Sequence, residues 1–128
     1  MVRFASLAIR EALAAYAAPP DTPSPETLER LEKVESEVAI LAAHLHAGEH
    51  RFLTLVGEFD RLDGWKLAGH RTCAHWLSFR TGYDLGACRE RVRAARALTQ
   101  LPETSASMQR GELSFSAVRA LTRVATAE

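Results

Sequence analysis

The stretch that decides the fold runs from Leu31 to Leu62 and reads LEKVESEVAILAAHLHAGEHRFLTLVGEFDRL. Apolar residues recur in it at alternating steps of three and four. They fill nine of the ten positions of a heptad seam, and Gly48 is the exception. The spacing predicts a long helix packed by knobs-into-holes, either against helices of its own chain or against a second copy. The seam comprises Leu31, Val34, Val38, Leu41, Leu45, Gly48, Phe52, Leu55, Phe59 and Leu62.

Proline, glycine and capping residues divide the rest of the chain into segments. No segment alternates like a strand, so the predicted fold class is all-α, a long heptad-patterned helix followed by a bundle of short helices with helix-turn-helix-like pairs. The predicted organisation is an N-terminal Ala-rich helix in residues 1–20, a Pro-rich linker in 21–25 and a helical domain in 26–128, itself a long helix over 26–62 and a compact part over 65–128. Expected N-caps are Ser24, Thr72, Asp84 and Ser114.

Several apolar side chains of the short helices are expected to face a core. On the predicted helix 85–100 they are Leu85, Cys88, Val92 and Ala95, and on the last helix Val118, Leu121 and Val124. The aromatic residues Trp65, Trp76, Phe79 and Tyr83 are predicted to be core aromatics at the helix junctions.

Composition narrows the functional classes. No apolar run reaches the roughly 18 residues that span a bilayer, and the start of the chain does not resemble a secretory signal. Two cysteines, Cys73 and Cys88, are too few for a disulfide scaffold, so a reducing cytoplasm is the predicted location. The zero net charge hides an asymmetry, because residues 21–60 carry nine acids against three bases and residues 61–128 carry eleven bases against six acids. Either the second part meets a polyanion or an acidic partner, or the two parts attract one another.

The segment after Asp84 carries the densest positive charge. At 100° per residue, Arg89, Arg93 and Arg96 fall in one narrow stripe of a helix that follows a short helix and a Gly-containing turn, and Arg91 lies in the same segment. Guanidinium groups bind phosphates and guanine edges, so this helix-turn-helix pattern indicates DNA binding through Arg89, Arg91, Arg93 and Arg96. Supporting contacts are expected from Arg71, Arg80, Arg119 and Arg123. The alternative is a solvated face on which Glu90 and nearby acids pair the arginines.

Other kinds of site find little support. His46 and His50 are spaced by one helical turn, but no paired ligand set of a structural zinc site is present, so no metal and no other cofactor are predicted. No nucleophile elbow, phosphate loop or paired carboxylates indicate catalysis. The chain is therefore expected not to be an enzyme.

An ordered series of blocks from Leu41 to Glu128 resembles a bacterial family, the helical domain of unknown function number 222, which commonly precedes an HNH endonuclease domain. The resemblance implies association with DNA, since such relatives continue into a nuclease that binds a divalent metal. The chain stops before any such domain, and no His-Asn-His arrangement is present, so the nuclease and its metal ligands are not expected here. The blocks are Glu58–Arg61, Gly64-Trp65, 69–77, 82–85, 87–98, Leu101-Pro102 and 111–126.

Two hypotheses follow from these observations. The first is a DNA-associated helical module without a nuclease centre. The second is a helical dimerisation or protein-interaction module, with a possible homodimer through the seam of the helix 31–62. The first depends on the arginines forming one surface that faces a negatively charged partner, and arginines that are scattered or engaged by internal acids would overturn it. No membrane partner is predicted.

Overall fold

The computed structural model describes residues 2–15 and 22–125, and the side chains from residue 7 onward within those ranges. These residues form seven helices and no strand, so the predicted all-α class is confirmed. None of the described helices is long and apolar enough to cross a membrane. The helices are α1 (Val2–Ala15), α2 (Pro25–Arg61), α3 (Gly64–Leu67), α4 (Cys73–Thr81), α5 (Leu85–Leu98), α6 (Pro102–Gln109) and α7 (Phe115–Ala125).

Contacts divide the chain into two compact units, and the boundary lies inside α2, between Ala42 and Ala43. The first unit holds α1 and the first part of α2. The predicted Ala-rich helix corresponds to α1, while the rest of that segment, Met1 and residues 16–20, and Asp21 of the linker lie outside the described residues. Helix α2 begins at Pro25, and the hydroxyl of Ser24 accepts a hydrogen bond from the Thr27 amide at 3.2 Å, as expected for an N-cap.

Three helices of the second unit begin at residues that cap them, and α4 ends at a glycine. The Thr72 hydroxyl accepts from the His75 amide at 3.1 Å, the Asp84 carboxylate from the Gly86 amide at 3.1 Å, and the Ser114 hydroxyl from the Ala117 amide at 3.1 Å. Helix α4 ends at Gly82, whose φ of 79° is the left-handed conformation that glycine adopts without strain. The three predicted N-caps of this unit are therefore confirmed.

Helix α5 is the centre of the second unit. It packs against α4, α6 and α7, and its predicted apolar face of Leu85, Cys88, Val92 and Ala95 contributes to the core. Helix α2 supplies Leu53 and Val56, α4 supplies Leu77, and α7 supplies Val118, all of them buried. Because α5 is covered on several sides, only a narrow part of it faces solvent.

Two predicted inward positions of α7 are wrong. Leu121 is 47% exposed and Val124 is 75% exposed. The helix packs on α5 through Val118 and Thr122, which lie one turn apart, and this line turns Leu121 and Val124 away from the core. The spacing of apolar residues predicted that α7 has an apolar side, but it did not predict which residues of that side face the core.

The aromatic prediction is correct in part. Trp65 and Trp76 are half-buried against the core, whereas Phe79 is 77% exposed and Tyr83 is also exposed. Phe79 lies outside the core because its helix, α4, buries Cys73, Ala74 and Leu77 on the opposite side.

The long seam of α2 divides into two parts. Phe52 and Phe59 contact their own chain. The Phe59 ring stacks on the Trp76 ring with 3.7 Å between the ring centres, and the Phe52 ring meets the Tyr83 ring edge-on with 6.0 Å between the ring centres. In the earlier part, Leu31, Val34, Val38 and Leu41 are exposed. In the second half Leu45, Leu55 and Leu62 are exposed as well, and the residues that α2 buries, Leu53, Val56 and Gly57, lie off the seam. The predicted knobs-into-holes packing along the whole seam is therefore wrong within the described chain, where only Phe52 and Phe59 of the seam pack on other helices or turns.

Candidate nucleic-acid interface

The exposed side of α5 carries the arginine stripe that the sequence predicted. Arg89, Arg93 and Arg96 line one groove of about 500 Å³ next to the first turn of α4, where Thr72 and Cys73 form the opposite wall. The positions recur at steps of four and three residues, so they share one side of the helix. The structure thus brings these three predicted residues together.

The Glu90 carboxylate binds three of the predicted arginines. Its oxygens lie 2.8 Å from Arg93 Nη2, 3.2 Å from Arg119 Nε and 2.7 Å from Arg123 Nη2. These hydrogen bonds, that from Arg93 first, lower the pKa of Glu90 to about 2. Helices α5 and α7 are joined through this carboxylate.

Arg93 is the most constrained of the three. Besides Glu90, its guanidinium donates to the Thr122 hydroxyl and to the Arg119 carbonyl, both at 3.2 Å. Arg119 and Arg123 are about half exposed. We refer to Arg89, Arg93, Arg119 and Arg123 as the arginine face. One carboxylate cannot neutralise several guanidinium groups, so Arg89, Arg93 and Arg119 together with Glu90 already leave an excess of positive charge.

Arg96 forms a bidentate ion pair with Asp60. Its Nε lies 2.7 Å from Asp60 Oδ2 and its Nη2 lies 2.9 Å from Oδ1. The Arg96 hydrogen bond lowers the pKa of Asp60, and Asp60 in turn raises the pKa of Arg96. The pair joins the end of α2 to α5, which gives Arg96 a structural role.

Arg91 points into the second unit instead of outward. Its side chain is 17% exposed, pairs with Glu49 at 3.3 Å, and places its guanidinium carbon 5.0 Å and 4.5 Å from the ring centres of Tyr83 and Phe115. These contacts are cation–π geometry at the junction of α2, α5 and α7. The expectation that Arg91 contacts DNA conflicts with this position, because its guanidinium is held among aromatic rings.

Three predicted arginines have no ion pair or hydrogen bond within the described part of the chain. Arg71 and Arg80 lie at the two ends of α4, and Arg89 lies on the arginine face; all three are exposed. The alternative interpretation, in which Glu90 and other acids pair the arginines, is thus correct for Arg91, Arg93, Arg96, Arg119 and Arg123.

The acids that pair with these arginines are harder to predict from the sequence than the arginines themselves. Glu90 was visible as a neighbour of Arg93 at a spacing of three on the same helix. Asp60 and Glu49 lie 36 and 42 residues from their arginines, and no local signal assigns either partner.

The α4–turn–α5 succession has the order of a helix-turn-helix, but α5 has six buried residues out of fourteen. A recognition helix must expose a broad side to enter the major groove. The exposed stripe of α5 is narrow, so its geometry suits contacts with phosphates more than contacts with base edges.

In the described part of the chain, the histidines and cysteines do not converge with acids on one point. Within residues 2–15 and 22–125, no group of three or more His, Cys, Asp or Glu side chains is placed to hold a metal ion. His50 instead shares a 2.7 Å hydrogen bond with Ser105, and Cys73 and Cys88 are buried free thiols.

Among the comparisons with known proteins, only a family model matches the chain. No curated protein and no solved structure matches it significantly. The family model described as a domain of unknown function, DUF222, matches residues 32–127, which covers α3 to α7 and most of α2. The chain therefore belongs to the DUF222 family.

Proposed function

We propose that the protein is a DNA-associated helical module that contacts the phosphate backbone through the arginine face. The observation that carries the proposal is the gathering of Arg93, Arg119 and Arg123 from two helices around the single carboxylate of Glu90, with Arg89 beside Arg93 in the adjoining groove. Such a cluster remains positively charged and presents planar guanidinium groups, which bind phosphate oxygens in pairs.

The internal ion pairs do not prevent this binding. Exposed pairs contribute about 0–1 kcal/mol each in water, because solvent and salt screen them. A phosphate close to Arg119 or Arg123 competes with Glu90 on similar terms and brings its own hydrogen-bond acceptors. The resemblance to helical domains that precede HNH endonucleases supports the same proposal.

The proposed contact set is narrower than the eight arginines that the sequence indicated. Arg91 is left out because it lies among Tyr83 and Phe115. Arg96 is left out because its partner Asp60 is only 10% exposed and would lose its ion pair, whereas Glu90 keeps Arg119 and Arg123 if Arg93 turns to a phosphate. Arg71 and Arg80 stay as supporting contacts. Because the contacts are to phosphates, we expect little sequence preference and a strong dependence on salt.

The test is fluorescence anisotropy with a labelled DNA duplex at several salt concentrations. The logarithm of the binding constant is expected to fall with the logarithm of salt by about 0.9 for each phosphate neutralised. The double variant Arg89→Ala/Arg119→Ala should weaken binding and flatten this slope. The control Lys66→Ala/Arg110→Ala removes two positive charges on α3 and at the end of α6 and should keep the slope.

Two results would contradict the proposal. One is no binding at low salt, and the other is an equal loss of affinity for the control and the arginine-face variants.

The chain is also proposed to bind DNA without cutting it. Incubation of the purified protein with plasmid DNA and a divalent metal ion tests this, and cleavage that co-purifies with the chain would overturn it.

A further inference from the structure

The first part of α2 presents an apolar stripe that no other described residue covers. Its members are Leu31, Val34, Val38 and Leu41, and their exposed fractions lie between 38% and 62%. We call these four residues the exposed seam. They occupy consecutive a and d positions of the heptad, so their side chains form one stripe along the helix. Leu45, the next heptad position, is exposed as well.

Helix α1 lies against another side of α2. Arg10 of α1 pairs with Glu32, and the half-buried residues of this part of α2 are Leu28, Glu32, Glu35, Ala39 and Ala42. At 100° per residue, those positions centre about a quarter-turn away from the exposed seam. The contact between α1 and α2 therefore leaves the seam open.

The flanking charges indicate which partner fits the seam. Arg30 and Glu35 occupy the g and e positions beside it. In a parallel two-stranded coiled coil, a g residue faces the e residue of the next heptad in the other strand, so Arg30 would meet Glu35 of the partner subunit twice by symmetry. An antiparallel pair instead matches g with g and e with e, and then these two residues do not meet.

The described part of the chain leaves both of these charges without a partner. Oε1 of Glu35 is buried and accepts no hydrogen bond there, and Arg30 is exposed with no ion pair. A second copy of the chain supplies the matching heptad and, at the g position, a charge opposite to that of Glu35.

We propose that the protein forms a parallel homodimer through the exposed seam, with Arg30 of each chain paired to Glu35 of the partner subunit. The inference does not rest on DNA binding, since it concerns α2, whereas the arginine face lies on α5 and α7, and a different kind of partner.

Analytical ultracentrifugation of the full chain tests the seam. The wild type should sediment as a dimer, and Val38→Asp should raise the dissociation constant of the dimer by at least about tenfold. Leu67→Asp is the matched control, because Leu67 is 89% exposed on α3 and lies outside the seam. Circular dichroism should show the same helicity for both variants. A monomeric wild type, or dissociation by both substitutions alike, would overturn the proposal.

A charge exchange tests the pairing. Arg30→Glu and Glu35→Arg should each weaken the dimer, because each places two like charges across both edges of the interface. The double variant Arg30→Glu/Glu35→Arg should restore it. Two single variants as stable as the wild type, or a double variant weaker than either, would overturn the proposed pairing.

Oxidative cross-linking tests the orientation. In a parallel dimer, Val34→Cys and Leu41→Cys each face the same position of the partner subunit, so both variants should form a disulfide dimer. An antiparallel register brings at most one of them together. Cys73 and Cys88 are buried, so the wild type is the unlinked control. Cross-linking of only one variant, or of neither, would exclude the parallel arrangement.

Discussion

At the scale of single residues, Glu90 decides how the arginine face behaves. Its carboxylate holds Arg93, Arg119 and Arg123, and it also cancels part of their charge. Neutralising the carboxylate should therefore lower the stability of the fold but raise the affinity for DNA. One substitution tests both roles.

Glu90→Gln is expected to lower stability and to raise affinity for DNA. The amide keeps the shape of the side chain but loses its charge, so the free energy of unfolding should fall by about 1 kcal/mol, a small value because the ion pairs are partly exposed. The arginine face gains one positive charge, so DNA should bind more tightly. Urea unfolding and anisotropy measure the two effects. Glu112→Gln, which removes the pair with Arg110, is the control. Weaker DNA binding by Glu90→Gln would contradict the proposed charge balance.

The lowered pKa of Glu90 also predicts an acid-dependent loss of stability. The group titrates at about 2 in the folded chain, below the ordinary value of 4.5. The ionised form therefore stabilises the fold fully above about pH 4.5, and this contribution is lost as the pH falls through about 2. Urea unfolding between pH 5 and about pH 2.5 should show a steeper loss for the wild type than for Glu90→Gln. Parallel curves would indicate that Glu90 is not held by its arginines in solution.

Cys73 gives a prediction about chemical reactivity. Burial is the main cause that raises the pKa of its thiol to about 11, and the adjacent Asp60 acts in the same direction. Burial also raises the pKa of Cys88. Since the thiolate is the reactive form, neither cysteine should react with Ellman's reagent at neutral pH in the folded protein, and both should react in denaturant. Rapid labelling of the folded chain would show that the core opens easily.

At the scale of the helices, the turn between α6 and α7 depends on a close approach. Gly111 has a φ of +80°, and a Cβ atom there would lie 2.5 Å from the carbonyl oxygen of Ala43. Gly69 has a similar φ of +84°, but a Cβ atom would meet nothing within 4 Å. An alanine would therefore meet the same backbone strain at both positions, and only at position 111 would it also collide with α2.

We expect Gly111→Ala to destabilise the protein more than Gly69→Ala. Both substitutions place alanine in the left-handed region, which costs about 1 kcal/mol. Only Gly111→Ala also forces the turn away from α2, which adds about 1–3 kcal/mol as an overpacked contact. Denaturant midpoints of the two variants measure the difference. Equal destabilisation would mean that the turn moves away from Ala43 without cost.

Helices and their ends were predictable from the sequence, and the pairing between helices was not. Caps such as Thr72, Asp84 and Ser114 act on amides within three residues, so a local pattern identifies them. The stripe of Arg89, Arg93 and Arg96 follows from helical geometry alone. Whether an arginine of that stripe meets solvent or Asp60 depends on how α2 lies against α5, and that arrangement is set by the packing of many residues together.

At the scale of the whole molecule, each unit is assigned a different role. The buried core, from Leu53 to Val118, lies entirely in the second unit, together with the arginine face. The exposed seam lies in the first. The two proposals therefore predict that self-association and DNA binding depend on separate parts of the chain and can be removed one at a time.

A fragment of residues 40–128 should therefore fold, bind DNA and remain monomeric. It keeps the core, and it keeps one turn of α2 ahead of Ala43, whose carbonyl packs against Gly111. The removed residues carry seven acidic and four basic side chains, so the fragment is more positive than the full chain and should bind DNA at least as tightly per protomer in low salt. Circular dichroism, ultracentrifugation and anisotropy test the three statements. A fragment that folds as a monomer but no longer binds DNA would show that the arginine face acts only when two copies are joined through the seam.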